Sequence, residues 1–276
     1  MFGVDYAFNP HPSMSALKGA GVKFVMRYIS NTPANDTNGK NLIPSEFKTL
    51  RGAGISVGVV VEYYAKRMME GHAQGVTDAK HADGVVKALG MAGLPIYFAA
   101  DWDATPGDQA GINNYLDGAA SVIGRNRTGV YGSYYVVKRA FDAGKTHYGW
   151  QTYAWSGGQW DSRAQLRQYQ NGWSLGGASV DKCDARKDDF GQWPRPKTSA
   201  PAKPAPKPSA EYKADGKLSL AGVADHVKLP VGTLLRRTAV HYGKFDDGIF
   251  DYLNDLAGGK IDSKAAVRAG SRFWTD

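Results

Sequence analysis

The chain has 276 residues, a formal net charge of +8, 42% hydrophobic residues and 12% aromatic residues. This length allows one large domain, or one large and one small domain, with a substantial core. The single cysteine, Cys183, excludes an internal disulfide bond and a cysteine-based zinc site.

The first residues, "MFGVDYAFNPHPS", have neither the basic region nor the long apolar region of a secretory signal. No stretch approaches the roughly 18 consecutive apolar residues of a membrane-spanning helix. We therefore expect a protein without a signal peptide that is synthesised in a cytoplasm and does not insert into a membrane.

Eight short apolar runs follow one another along the first part of the chain. Runs of this length, mostly separated by helix-like stretches, are typical of parallel β-α-β units. The predicted strands are 2–6, 22–30, 56–64, 95–103, 128–133, 148–155, 164–170 and 179–185. The predicted helices are 13–20, 44–53, 71–92, 108–124 and 134–144.

Closing eight such units gives a (β/α)₈ barrel, so the fold class predicted for residues 1–193 is an α/β, TIM-like barrel. The units after Tyr148 leave little room for helices, which makes the predicted barrel irregular there. An open doubly wound sheet is the alternative architecture. No Gly-rich phosphate-binding loop follows any of the predicted strands, which counts against nucleotide binding.

Residues 194–214, "PRPKTSAPAKPAPKPSAEYKA", contain five basic residues and one acidic residue. Their Pro, Ala, Lys and Ser content predicts an extended, semi-rigid linker. Spaced lysines with a single aromatic residue among them are not typical of a nucleic-acid module, so we predict no nucleic-acid partner. The charge suits an anionic polymer such as a bacterial cell surface, although a solvated spacer explains the composition equally well.

Acidic and aromatic side chains gather where the predicted strands end, which is where barrels of this class carry their functional residues. The acids are Asp5, Glu62, Asp101, Asp103 and Asp181. The candidate substrate-binding residues beside them are Tyr6, Arg27, Tyr64, Tyr131, Tyr153, Trp155 and Gln168. Any one of these side chains could merely cap a turn or seal the barrel. Five acids at four strand ends instead indicate a catalytic centre in which carboxyl groups raise one another's pKa.

Paired carboxyl groups perform glycoside hydrolysis. One carboxylic acid protonates the leaving oxygen, while a carboxylate activates water, attacks the sugar, or stabilises the cationic transition state. Asp101 and Asp103 are two residues apart on a predicted strand, so we expect both to point to one face of it. The spacing does not choose between the retaining and inverting reactions.

Several motifs fall in the order found in the barrels of glycoside hydrolase family 25. They are "FGVDYA", "AGVKFVMRYIS", "GISVGVVVEYY", "LPIYFAADWD", "GVYGSYYVV", "RQYQNG" and "SVDKCDA". The chain resembles most closely the glycoside-hydrolase-like branch of that group, which occurs in actinobacterial secreted proteins and bacteriophage endolysins. The resemblance implies cleavage of the β-1,4 bond between N-acetylmuramic acid and N-acetylglucosamine in peptidoglycan. It also implies catalytic roles for Asp5, Asp101, Asp103 and Asp181.

The fourth-strand motif of family 25 is Asp-x-Glu, and its Glu is the proposed proton donor, whereas this chain has Asp101-Trp102-Asp103. A shorter side chain withdraws the acid, and a misplacement of ~1 Å can reduce the rate about a hundredfold. Glu62, at the end of the neighbouring predicted strand, is the alternative proton donor. A barrel that binds glycan without hydrolysing it is the alternative function.

The six histidines show neither an H-E-x-x-H spacing nor a compact cluster, so we predict no metal and no other cofactor. A third function, a peptidase that uses Cys183 as its nucleophile and His147 as its partner, requires a thiol with a lowered pKa.

Residues 215–276 contain "SLAGVADHVKLPVGTLLRRTA" and "VRAGSRFW", which resemble parts of the peptidoglycan-binding LysM module. The resemblance implies a small α+β wall-binding domain, and a helical association segment is the alternative. Together the two resemblances predict a monomeric, two-module bacteriophage endolysin. We expect it to be made in the host cytoplasm and to reach the peptidoglycan at lysis.

Overall fold

A computed structural model describes residues 1–30 and 38–196 of the chain. The predicted linker beyond residue 196 and the predicted domain at 215–276 lie outside the described residues. Within the described part, none of the helices has the length and apolar character that crossing a membrane requires.

Eight strands form one closed barrel, each paired with its neighbours in chain order. They are β1 (Phe2–Asp5), β2 (Phe24–Tyr28), β3 (Ser56–Val61), β4 (Ile96–Ala99), β5 (Thr128–Gly132), β6 (Tyr148–Thr152), β7 (Leu166–Leu175) and β8 (Ala178–Ala185). A helix follows each of the first five strands: α1 (Met14–Gly19), α2 (Pro44–Gly52), α3 (Gly71–Ala88), α4 (Gln109–Ile123) and α5 (Tyr134–Asp142). The predicted α/β barrel is confirmed.

Local sequence explains where two of the helices begin. Ser13 precedes α1 and its hydroxyl accepts a hydrogen bond from the backbone N–H of Ala16. Ser133 precedes α5 and accepts from the N–H of Val136 in the same way. A side-chain oxygen at this position satisfies a donor that the first helical turn leaves unpaired. Both caps directly follow polypeptide that leaves the mouth of the barrel.

The last strand runs against the predicted direction. Strands β1 to β7 are parallel, but β8 is antiparallel to both β7 and β1. Only Gly176 and Gly177 connect β7 to β8, and both have positive φ angles, 59° and 84°. A two-residue turn of this kind closes an antiparallel hairpin and leaves no room for the crossover that parallel strands need. The expectation of a parallel eighth strand is therefore wrong, whereas the irregularity predicted after Tyr148 is confirmed.

The barrel interior is filled at the end opposite the mouth. Large side chains, among them Phe24, Tyr97 and Phe190, are buried there. The segment after β8 covers this end, because the Tyr97 hydroxyl donates to the Phe190 carbonyl at 2.8 Å and Trp193 pairs with Val57. A ligand can therefore enter from the carboxyl ends of the parallel strands, which form the mouth.

Candidate active site

Two adjoining cavities form a cleft at the mouth of the barrel. The larger, of about 340 Å³, lies between the segment after β1 and the β7–β8 hairpin, and the smaller measures about 100 Å³. Tyr28 and Asp181 line both cavities. Asp5 lines the larger cavity, and Glu62 and Asp101 line the smaller one. The structure thus brings four of the five predicted catalytic acids into one cleft.

Gln168 connects two of these acids. Its Nε2 donates to Asp5 Oδ2 at 2.9 Å and lies 3.3 Å from Asp181 Oδ2, while its Oε1 accepts from the Tyr131 hydroxyl at 2.9 Å. Asp5 and Asp181 are also directly opposite each other on the antiparallel strands β1 and β8. Because opposite residues on paired strands share a face, the two carboxyl groups are neighbours in the cleft.

Asp5 is a buried acid, with 3% of its surface exposed. Burial and then the charge of Asp181 raise the pKa of Asp5 to about 8, although hydrogen bonds from Gln168 and Cys183 act in the opposite direction. Burial also raises the pKa of Asp181, against the effect of the Gly172 N–H that donates to it at 2.8 Å. Two neighbouring carboxyl groups of this kind can share one proton, so that Asp5 is protonated while Asp181 is ionised.

Cys183 is fully buried, and its Sγ lies 3.2 Å from Asp5 Oδ2. Burial, and then the neighbouring Asp5, raises the pKa of the Cys183 thiol well above its ordinary value. A nucleophilic cysteine needs the opposite shift and a basic partner. The hypothesis of a Cys183–His147 peptidase conflicts with this environment, since the thiol donates to a carboxyl group.

Glu62 and Asp101 face the smaller cavity as half-buried acids. Lys40 Nζ donates to Glu62 Oε2 at 3.0 Å and lies 4.9 Å from the centre of the Tyr28 ring. Burial raises the pKa of Glu62, while Lys40 acts in the opposite direction. Burial likewise raises the pKa of Asp101, with Tyr131 and Lys40 opposing it.

Asp103 lies outside the cleft, and the reason is the path of the chain after β4. The strand ends at Ala99, so Asp101 and Asp103 do not share a strand face as predicted. Trp102 packs into the core and its Nε1 donates to Asp108 Oδ2 at 3.3 Å. Asp103 is exposed to solvent and lines neither cavity.

Arg27 lies behind the barrel wall, which corrects its predicted place in the substrate site. The side chain is fully buried, and its Nε donates to Glu46 Oε1 at 2.8 Å. Its Nη1 donates to the backbone carbonyl of Lys40 at 2.9 Å. Because Arg27 points toward α2 rather than into the cleft, it fixes the segment that carries Lys40 instead of contacting a substrate.

The predicted aromatic ligands divide between the cleft and its rim. Tyr131 lines the smaller cavity and Tyr6 the larger, although the Tyr6 hydroxyl is already hydrogen bonded to Glu46 at 3.0 Å. Tyr64, Tyr153 and Trp155 are exposed and line neither of these cavities. The catalytic and binding roles of all these residues stay predictions.

Sequence reasoning missed Lys40 and Tyr28. Tyr28 is the last residue of β2, and functional residues of a barrel are expected at strand ends, so its position in the sequence indicated a site residue. Lys40 follows the loop after β2, and nothing in its local pattern distinguishes it from a surface lysine.

Within residues 1–30 and 38–196, no group of three His, Cys, Asp or Glu residues is arranged to hold a metal ion.

A closed α/β barrel with four acids of raised pKa in an open cleft defines a glycoside-hydrolase-like domain. The chain belongs to the family described as "Rv2525c-like, glycoside hydrolase-like domain", which matches residues 15–187.

A Mycobacterium tuberculosis relative, Rv2525c, is described as a candidate peptidoglycan hydrolase. It is 30% identical over 202 residues, which cover 69% of this chain and 82% of the relative. The crystal structure of the same Tat-secreted protein with L-tartrate superposes with a TM-score of 0.65 at 30% identity, covering 70% of this chain and 98% of that one. An uncharacterised protein of Bacillus stearothermophilus shares the fold, with a TM-score of 0.51 at 15% identity, covering 68% of this chain and 96% of that one.

Proposed function

We propose that this chain hydrolyses the β-1,4 glycosidic bond between N-acetylmuramic acid and N-acetylglucosamine in peptidoglycan. The observation that carries the proposal is the cluster of Asp5, Glu62, Asp101 and Asp181 in one cleft, each with a raised pKa. Glycoside hydrolysis needs a protonated and an ionised carboxyl group on either side of the bond. The description of the mycobacterial relative as a candidate peptidoglycan hydrolase supports the choice of substrate.

In this proposal Asp101 is the proton donor. It is half-buried, it lines the smaller cavity, and burial raises its pKa, as the function of a general acid requires. Glu62 is less suited to the same role because the ammonium group of Lys40 stabilises its ionised form. Asp103 is unsuited because it is exposed outside the cleft.

Asp181 is the carboxylate that acts on the other side of the bond. The Gly172 N–H and the Gln168 amide stabilise negative charge on its two oxygens. Asp5 retains its proton beside Asp181, which spares the pair the repulsion of two neighbouring charges. Asp5 is therefore a positioning residue that acts through Asp181 and Gln168.

The test is digestion of isolated bacterial sacculi with the full chain, followed by reducing-end assay and mass analysis of the products. We expect new N-acetylmuramic acid reducing ends. Asp101→Asn should lower the rate about 10²- to 10⁴-fold, as loss of a general acid does, and Glu62→Gln should lower it less. Asp103→Asn is the matched control and should retain wild-type activity.

Other reaction products, or a different ranking of the variants by activity, would contradict the proposal. If Asp103→Asn abolishes activity and Asp101→Asn does not, the acid assignment is wrong. Cleaved amide bonds would indicate a peptidase, and Cys183→Ala should then be inactive. Binding of sacculi without any cleavage would indicate a glycan-binding protein, a function that the exposed position of Asp103 favours.

We also propose that residues 215–276 bind the cell wall and that the enzyme reaches it at lysis, as an endolysin does. The basic linker supports an anionic polymer as the partner. The mycobacterial relative is described as Tat-secreted, which is a different route. Fractionation of producing cells before and after lysis tests the route, since protein found in the wall of intact cells would contradict lysis-dependent release.

A further inference from the structure

Three large aromatic side chains are exposed on two neighbouring connections at the rim of the mouth. Tyr135 lies in the first turn of α5 with 38% of its surface exposed, and Tyr153 and Trp155 follow β6 with 47% and 41% exposed. None of them lines the two cavities of the cleft. The proposed catalytic residues therefore do not include these rings, although the sequence predicts Tyr153 and Trp155 as substrate ligands.

Trp155 combines exposure with an unfavourable backbone conformation. Its φ angle is 55°, in the left-handed region that suits glycine or asparagine and is an outlier for a bulky residue. Strain of this kind persists only where the surrounding structure enforces it, and it concentrates at functional sites. Stability alone would favour a glycine or an asparagine at this φ angle, and with 41% of its surface exposed the tryptophan gains only part of the free energy of burial to offset the strain.

Hydrogen bonds fix the two connections and the ring of Tyr135. Ser156 is fully buried, and its hydroxyl accepts from the Tyr134 N–H at 2.8 Å, which joins the segment after β6 to the start of α5. Gln159 Nε2 donates to the Tyr135 hydroxyl at 2.8 Å, and the Arg139 guanidinium lies 5.5 Å from the centre of the Tyr135 ring. A rigid aromatic surface loses little conformational entropy when it binds.

One end of this surface lies beside the cleft. The Tyr153 N–H donates to the backbone carbonyl of Gln168 at 2.9 Å, and the side chain of Gln168 holds Asp5 and Asp181. Tyr153 is therefore the ring of the three that is tied directly to a residue of the cleft. Three side chains are too few for a stable protein interface, which uses roughly 20 to 30 residues from each partner.

We propose that Tyr135, Tyr153 and Trp155 form a stacking platform for a pyranose ring of the glycan strand, outside the two cavities. The C–H face of a sugar packs on a flat apolar ring, while the phenol and indole edges can hydrogen bond its hydroxyl groups. The identity of the ligand, a glycan strand, rests on the proposed function. The platform adds a preference for long strands, because a short fragment fills the cleft without reaching the rim.

Fluorine NMR of the full chain labelled with 5-fluorotryptophan tests the platform at the residue itself, in an Asp101→Asn background that prevents turnover. The chain has seven tryptophans, and Trp155→Asn identifies the Trp155 resonance by its loss. A hexamer of β-1,4-linked N-acetylglucosamine should shift this resonance saturably, and the dimer should not. Tyr153→Ala should weaken the hexamer's apparent Kd at this resonance roughly tenfold. Ile43→Ala, an exposed apolar residue that precedes α2, is the matched control and should leave it unchanged.

Thermal unfolding of Trp155→Asn gives a second measurement. Because asparagine tolerates the left-handed conformation, its melting temperature should equal or exceed that of the wild type. A lower melting temperature, or a Trp155 resonance that the hexamer does not move, would overturn the platform. A resonance that shifts with protein concentration alone would indicate self-association instead. If the hexamer shifts the Trp155 resonance but the wild-type chain cleaves no glycan, the platform stands and the proposed hydrolysis fails. If the wild-type chain cleaves glycan but the hexamer does not shift this resonance, the hydrolysis stands and the platform fails.

Discussion

Two buried aspartates, Asp5 at the mouth of the barrel and Asp78 in helix α3, have opposite surroundings. They expose 3% and 1% of their surface. Arg67 binds Asp78 through two nitrogens, each 3.0 Å from a carboxylate oxygen, and the Tyr115 hydroxyl donates to it at 2.6 Å. Asp5 receives bonds only from an amide and a thiol in the described part of the chain, and its neighbour Asp181 is itself acidic.

The same contrast separates the helical layer from the cleft as a whole. Burial raises the pKa of Asp83 in α3, but Lys87 and Arg127 outweigh it and lower that pKa overall. Among the described residues, no lysine or arginine lines either cavity of the cleft. Asp78 and Asp83 in the helical layer are therefore paired with cations, whereas among the cleft acids Glu62 is paired with Lys40 and Asp5 is bonded to an amide and a thiol.

Arg67→Met should give the largest effect, because it converts Asp78 into a buried carboxylate without a cation. Removing one partner of a buried ion pair destabilises a protein strongly, and for the partly exposed Arg67 we expect about 3 kcal/mol. Urea unfolding of the variant and the wild type measures the loss.

The control for this change is Lys138→Met, which breaks an exposed pair with Asp142 and should leave the free energy of unfolding nearly unchanged. Equal effects of the two substitutions would mean that the helical layer does not depend on compensated charges.

Asp5→Asn should have the next largest effect, on the pH dependence of stability. With a pKa of about 8 in the folded protein, against 3.8 in the unfolded chain, Asp5 keeps its proton over a range in which the unfolded chain has lost it. The free energy of unfolding therefore falls as pH rises from about 4 to 8. Asn resembles the protonated acid, so the variant should show a shallower decline. Urea unfolding from pH 5 to pH 8 measures this decline. If the free energy of unfolding of the variant falls with pH as steeply as that of the wild type, the protonated state of Asp5 is contradicted.

Lys40→Met should have the smallest effect, a change in the pH profile of activity. Burial raises the pKa of Asp101 and Lys40 opposes that effect, so removing the cation should raise it further. If Asp101 donates the proton, the alkaline limb of kcat/KM moves to higher pH. Lys48→Met, an exposed lysine on α2, should leave the profile in place. A movement of the alkaline limb to lower pH would contradict the role of Asp101.

The secondary structure followed closely from sequence, and the site followed in part. The five predicted helices and eight predicted strands are all present, although β4 ends at Ala99 rather than at the predicted 103 and β7 continues to Leu175 rather than ending at 170. Asp5, Glu62 and Asp101 reach the cleft because a strand end in a barrel has a fixed destination, and Asp181 reaches it because β8 runs antiparallel to β1 and pairs it with Asp5. The prediction failed at Asp103 because the strand stops at Ala99 and Trp102 turns into the core. It failed at Arg27 because Glu46, on the helix that follows, draws the guanidinium behind the wall.

The sequence by itself determined the barrel, since apolar runs and the helical stretches between them depend on residues a few positions apart. Even the reversed last strand was encoded locally, in the Gly176–Gly177 turn. Only the tertiary structure decided which acids have a cation and which do not. Gln168 and Asp5 are 163 positions apart, and Lys40 and Glu62 are 22 apart. The pKa of a carboxyl group depends on burial and on the charges around it in space, and no local pattern records either of these.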